Sequence, residues 1–546
     1  MNEEIWQISN PIIGIVVVAI TFLLFYVVGY LSNRKQSSVR DLYVAGGQVG
    51  ALTNGLAMSS TYMSLATFLG ITALILNLQM PLIILWIQLI LAIPLITIIY
   101  GTSLRRMGVI SPTHFIRERY GVRACIIAAV FMIIISIMYA LGQMIGVAVA
   151  FETLLGVPYI WGLFVGGIII VGYITIGGMT GQRIMQLSKW SSSPYVYRAT
   201  RGNYEGIRRL RLVFPTTFLF RHGSSHAVIS DVFLSVSIQM FFALIPALTI
   251  GALGLPHLAM RVYTASSLKS ARSAMVWYAF ITGLVFSATY AMGFVGVYAT
   301  ETQGLVVSAG DADKLTMILN IVYNPEWVAA LVIAGAIAAG VSTLSGNLLA
   351  IGALLSEDII TTLRPTLTQK GKVRLGYVAI FLGGIASILL AVNPPSFLVV
   401  SIFWAFGLAG VTIAPLVILG VWWKEANRYG AIAASVIGGI VYILLSPFVV
   451  PSLVLTDHHV TNEMGISGAM FAVPLSFIIM IVVSYVTNRM PKLKSRLTTD
   501  RDHALVERIH GWKDVQSYRY NSKIGPAVAV VVCFVVAVWA LIPWNM

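Results

Sequence analysis

Apolar residues run along this chain in blocks, each closed by a short cluster of polar, charged or turn-forming residues. A helix needs about 20 such residues to cross the hydrocarbon of a bilayer. About thirteen stretches are long enough, near 12–32, 50–77, 81–100, 124–151, 158–177, 232–253, 273–299, 326–354, 375–392, 397–422, 429–449, 468–488 and 524–543. The pattern predicts an all-α membrane protein, one large helical bundle rather than several soluble domains.

One block departs from the others. The second stretch holds Leu56-Ala57-Met58-Ser59-Ser60-Thr61-Tyr62-Met63-Ser64-Leu65-Ala66-Thr67-Phe68-Leu69-Gly70. Its centre is a cluster of hydroxyls, and Gly55 and Gly70 leave the backbone free to bend. A simple anchor would be Leu, Ile and Val throughout. Broken, oxygen-rich helix is tolerated at membrane depth only where it lines a cavity or is covered by protein. Secondary transporters build ion and substrate sites in this way.

Composition agrees and adds an orientation. Hydrophobic residues make up 58% of the 546 and charged residues 10%. Mean hydropathy is +0.87, whereas a soluble domain carries about 25% charged residues. The acidic start, Met1-Asn2-Glu3-Glu4, lacks the basic region of a secretory signal, so the first span is expected to be retained. Cys125 and Cys533 are too few for a disulfide framework. The net charge of +15 raises the question of nucleic acid, but its distribution answers no. Arg34, Lys35 and Arg40 follow the first span, and Arg105, Arg106, Arg117, Arg119 and Arg123 follow the third. Arg261, Lys269 and Arg272, then Arg364, Lys370, Lys372 and Arg374, then Lys424 and Arg428 mark later loops, and 489–523 is also basic. Residues 300–326 and 450–467 are acidic instead. Because basic loops stay cytoplasmic, the N-terminus is expected outside a multi-pass cell membrane protein.

This alternation needs a further crossing between Gly177 and the span at 232–253 that the sequence does not supply. Residues 182–231 hold Arg183, Lys189, Arg198, Arg201, Arg208, Arg209, Arg211 and Arg221. An Arg at mid-span costs about 2.5–3.5 kcal/mol on insertion scales, so several in one window exclude a helix across the bilayer. Three readings compete: a cytoplasmic insert with inverted later topology, a segment binding anionic lipid or nucleic acid, or a stretch translated out of frame. The third is favoured because it erases one helix and leaves Arg- and Ser-rich text.

Several short runs now fall into register. Asp41-Leu42-Tyr43-Val44-Ala45-Gly46-Gly47, Asn54-Gly55-Leu56-Ala57, Tyr62-Met63-Ser64 and Phe68-Leu69-Gly70-Ile71 resemble the sodium:solute symporter family, closest to its acetate and monocarboxylate permease branch. Gly177-Gly178-Met179-Thr180-Gly181, Gly254-Leu255-Pro256-His257-Leu258-Ala259-Met260-Arg261, Ala339-Gly340-Val341-Ser342-Thr343-Leu344-Ser345 and Ser356-Glu357-Asp358 resemble further family motifs in the same order. The likeness covers roughly 40–181 and 232–490.

The resemblance implies an inverted-repeat bundle of the leucine-transporter type, of about 13–14 spans with one disrupted. Residues 1–40 would be an extra span and loop, 41–231 the first repeat, 232–422 the second, and 423–546 the C-terminal spans with a basic cytoplasmic loop. Each repeat would open on a broken helix, the second containing Pro246 and Gly251. A coupling sodium ion would be held by the carbonyls of Ser60, Met63 and Ala339 and the hydroxyls of Ser342 and Thr343. Hard cations take oxygen ligands. An isolated Ser-Thr pair in an apolar helix usually back-bonds to its own helix or packs against a neighbour, and the motif register is what favours the ion here. The substrate would lie beside the break, on Thr61, Tyr62 and Ser64, with a helix start near Gly251 as an anion-friendly end. Related permeases often carry an acidic residue where Thr61 stands, and its absence suits a carboxylate substrate.

His257 is read as a structural residue at the cytoplasmic edge rather than a proton relay, and His458 and His459 as solvated loop residues. The chain shows no nucleophile–base pair or phosphate-binding loop, so it is not expected to be an enzyme. The spans lack Lys and Glu suited to a proton-pumping antiporter subunit. The expected function is sodium-coupled symport of a small organic anion, such as acetate, across the lipid bilayer. The alternatives are an amino acid, sugar or vitamin carrier, proton coupling, a passive channel, or an inactive product of a disrupted gene.

Overall fold

A computed structural model describes residues 10–33, 43–44, 49–78, 92–107, 111–175, 244–364, 366–395, 398–446, 467–494 and 499–510. The basic stretch 182–231, the expected span 524–543, residues 81–91 and 232–243 of two further expected spans, and His458 and His459 lie outside the described residues. Apart from one isolated bridge, the described secondary structure is helical.

The helices coincide with the apolar blocks because backbone groups in hydrocarbon must be satisfied within their own segment. α1 is Pro11–Asn33. α2, Ala51–Tyr62, is followed by a wide π-helical turn, Ala66–Gly70, and by α3, Ile71–Leu78. α4, His114–Tyr120, leads into α5, Val122–Leu155, and α6, Tyr159–Thr175. After Ile245–Ile250 and Ala252–Gly254 come α7, Pro256–Tyr263, and α8, Leu268–Thr302. The remaining helices are α9, Leu315–Tyr323, α10, Glu326–Ala353, and α11, Gln369–Leu390. They are followed by α12, Leu398–Thr412, α13, Ala414–Trp422, α14, Arg428–Leu444, α15, Ser467–Arg489, and α16, Thr499–His510.

Helix ends carry the signals that local chemistry demands. α5 starts after Gly121 and stops at Gly156, both at positive φ (87° and 67°), where a side chain would strain the backbone. Ser267 caps α8 by accepting from the Ser270 N–H, and Asn427 caps α14 by accepting from Tyr429 and Gly430. Asp313 caps α12 from a distant segment, its Oδ2 accepting the Leu398 N–H at 2.9 Å. Burial pushes the Asp313 carboxyl up to about 7.

Two segments are apolar enough to span yet are bent at a short gap. Ala51–Tyr62 meets Ala66–Leu76 at 56°, and Ile245–Gly254 meets Pro256–Tyr263 at 48°. The same-side halves, α2 and α7, are tied together beyond their ends. Val49 and Ala265 form a parallel bridge, and Asn54 Nδ2 donates to the Arg261 carbonyl at 3.1 Å. α10 and α12 form the centre of the bundle: their spans bury 83% and 94% of their most apolar windows, against 39% for α11. α1, α8 and α11 turn Leu23, Phe280 and Leu382 outward, as a lipid-facing surface requires.

Candidate functional site

The first break can be followed bond by bond. A helix leaves its last carbonyls without internal partners. At Met63 the chain turns extended, φ −75° and ψ 91°. Ser64 N–H, which would have closed a turn onto Ser60, donates instead to Thr67 Oγ1 at 3.4 Å. Leu65 N–H, the helical partner of Thr61, donates to Gln143 Oε1 of α5 at 3.1 Å. Two side chains thus take the amides that would have continued the helix, and the carbonyls of Ser60 and Thr61 turn elsewhere.

They turn to α10. Ser342 Oγ donates to the Ser60 carbonyl at 3.1 Å or to the Ala339 carbonyl at 3.0 Å. Thr343 Oγ1 reaches the Thr61 carbonyl at 2.9 Å and the Ala339 carbonyl at 3.3 Å. Three carbonyls and two hydroxyls therefore converge, and Ser60, Thr61, Ser342 and Thr343 are all fully buried. The set is neutral and all-oxygen, which fits a hard monovalent cation: each hydroxyl can rotate its proton away and present a lone pair. Leu65 fastens the arrangement, since a Cβ on Gly340 or Gly146 would lie 2.2 Å or 2.9 Å from its side chain. Only glycine lets α5 and α10 close on it.

Of the five cation ligands expected from sequence, Ser60, Ala339, Ser342 and Thr343 come together. Met63 is the turning residue itself, and Thr61 supplies the carbonyl that meets Thr343. Thr61, expected on the substrate side, has a hydroxyl that donates from Oγ1 to Ala57 O at 2.9 Å and accepts from Arg261 Nε at 3.2 Å. Tyr62 packs edge-on against Tyr278 and Phe286, at 5.9 and 5.8 Å between ring centres. Its hydroxyl has no hydrogen-bond partner among the described residues. Ser64 is buried beside the break.

Gly251 stands differently from the expectation. It is helical (φ −59°, ψ −34°), and a Cβ there would meet the Phe406 carbonyl of α12 at 2.2 Å. Gly251 is a packing residue. The helix start lies at Pro256, after the extended Leu255 at φ −76° and ψ 114°. The bend also relocates two residues assigned to the cytoplasmic rim. His257 and Arg261 lie on α7 and are only 1% and 2% exposed. His257 sits edge-on to Tyr139 at 4.8 Å. Arg119, another expected rim charge, is buried too: it donates to the carbonyls of Gly420, Trp423 and Lys424 at the end of α13 and pairs with Asp502 at 3.4 Å.

The residues that sequence reading missed are Thr67, Gln143 and Arg261. Gln143 carried a detectable signal, a lone amide inside the apolar α5. Arg261 was hidden because it reads as the first charge after a span.

The sodium:solute symporter family profile matches residues 42–187 and 223–438, leaving out 188–222 within the basic stretch. The uncharacterized symporter YwcA of Bacillus subtilis (strain 168) is 26% identical over 437 residues, 78% of this chain and 84% of that protein. A Na+-coupled sialic acid symporter, solved in a substrate-bound outward-open state, superposes with a TM-score of 0.66 over 87% of this chain and 98% of its own, at 19% identity. That likeness shows the fold. The profile match over most of the chain settles the affiliation: this membrane-embedded transporter belongs to the sodium:solute symporter family.

Proposed function

We propose that the chain imports a short monocarboxylate, such as acetate, together with sodium. The observation that carries this reading is the meeting of Ser342 and Thr343 hydroxyls with the Ser60 and Thr61 carbonyls released by the first break. Sodium would be held by these groups with Ala339. Beside them, Tyr62 is buried edge-on against Tyr278 and Phe286, an aromatic surrounding that suits a compact solute. No acidic side chain stands at Thr61, so an anion meets no fixed negative charge there. The structural neighbour is itself described as carrying an acid, sialic acid.

The loop charges support an N-terminus outside, with α2 and α7 as the cytoplasmic halves of the broken helices. Sodium binding joins α2 to α10 and so favours one arrangement of the bundle. The solute then permits closure, and rocking of the bundle releases both inside. An inward sodium gradient and the membrane potential, worth about 2.3 kcal/mol per charge per 100 mV, drive accumulation.

Uptake of radiolabelled acetate into proteoliposomes holding the purified full-length chain tests the reading. Accumulation above the external concentration is expected with an inward sodium gradient. It should vanish when choline replaces sodium. Equal uptake driven by a proton gradient alone, or transport confined to amino acids or sugars, would overturn it.

A further inference from the structure

We infer that Arg261 is the residue that pairs with the carboxylate of the transported solute, an inference that rests on the anionic-substrate reading above. Its side chain is 2% exposed and makes no ion pair among the described residues. Nε donates to Thr61 Oγ1 at 3.2 Å, and Nη2 is buried without a partner. A buried charge lacking a counter-ion costs several kcal/mol, and such a group persists where its partner arrives with a ligand.

Among the described residues the neighbours do not supply that counter-ion. Asn54 is used up, donating to the Arg261 carbonyl at 3.1 Å and accepting from Thr264 Oγ1 at 2.8 Å. His257, one turn earlier on α7, can offer only a neutral or positive ring. Tyr62 and Tyr278 have hydroxyls without a hydrogen-bond partner among the described residues. The guanidinium is thus held at Nε by Thr61 with Nη2 left over. That fork matches a carboxylate bidentately, which a lysine cannot do.

Thr61 joins the two sites. Its carbonyl faces Thr343 and its hydroxyl faces Arg261. One residue at the end of α2 thus touches the cation ligands through its backbone and the anion anchor through its side chain. A cation on one side and a carboxylate on the other screen each other's charge, which makes each bind better in the presence of its partner, by the same factor in both directions.

The test uses the full-length protein and its R261Q and R261K variants, with labelled acetate and labelled sodium as probes. R261Q is expected to raise the KM for acetate by about 100-fold, while sodium binding measured without acetate stays within about threefold. R261K should recover part of the loss, since charge is restored without the fork. An R261Q protein that transports acetate with an unchanged KM overturns the inference and leaves the sodium-coupled reading intact. Parallel loss of acetate transport and of acetate-free sodium binding also overturns it, by showing a scaffold role. A wild-type protein that moves no short carboxylate overturns the functional reading, and this inference with it.

Discussion

At Met63–Ser64 the chain leaves its helix although no proline forces it to; at Leu255–Pro256 a proline stands at the turn. The first break is held open from outside, by Thr67 and by Gln143 of α5, which take the amides of Ser64 and Leu65. The second is written into its own residues, an extended Leu255 before a proline that has no N–H to donate. The first exposes carbonyls and meets hydroxyls, so it is suited to a cation. The second presents a helix start with His257 beside it and Arg261 in the last turn of the same helix, and in the reading proposed above it takes the anion. Two bends of similar size, 56° and 48°, therefore offer opposite polarity, and the difference lies in which half-helix end faces the centre.

The comparison can be broken most directly at the cation side. Replacing Ser342 and Thr343 together by alanine removes two of five converging oxygens and should weaken sodium binding by about 2–4 kcal/mol. Equilibrium binding of labelled sodium measures it, and unchanged affinity with protein still in the membrane would sink the assignment.

A second prediction concerns the wall behind the other break. Gly251 and Gly254 lie against α12, whose first N–H is held by Asp313. The Asp313 carboxyl titrates near 7 when folded, above its ordinary value of about 3.9. Between those values the folded state keeps a proton that the unfolded state has lost. Stability should fall as pH rises from about 4 to 7 and level off above, by about 1–3 kcal/mol in total. Asp313→Asn should flatten this slope in thermal unfolding between pH 5 and 8; an unaltered slope would remove Asp313 from the account.

The smallest effects separate the two mechanisms of breaking. Gln143→Leu leaves the Leu65 N–H without its acceptor and should cost about 1–2 kcal/mol, seen as weaker sodium binding. Pro256→Ala keeps a residue tolerated at the first helical position and should change uptake by less than about 0.5 kcal/mol. If Pro256→Ala proved the more damaging, the second break would depend on its proline far more than the extended Leu255 implies.

The spans were legible because twenty apolar residues in a row are a local property, and among the described residues the helix limits fall within about six residues of the expected ones, the spans expected at 81–100, 232–253 and 524–543 lying wholly or partly outside them. The hydroxyl run at Ser59–Thr61 and the pair Ser342–Thr343 were legible as oxygen where none is needed for anchoring. Gly251 was misplaced for a physical reason: glycine marks both a bend and a close helix contact, and sequence does not tell which.

What the residue order determined by itself is the membrane-spanning class, the helix limits and the presence of breakable, oxygen-bearing segments, since each follows from contacts within about twenty residues. Tertiary structure alone decided that Thr61 turns its carbonyl to Thr343, that Gln143 holds the gap open, and that Arg261 is buried instead of joining the charged rim. Those outcomes depend on partners about 80 to 280 positions away, and hydrogen-bond acceptors at that separation are chosen by packing, which no local pattern encodes.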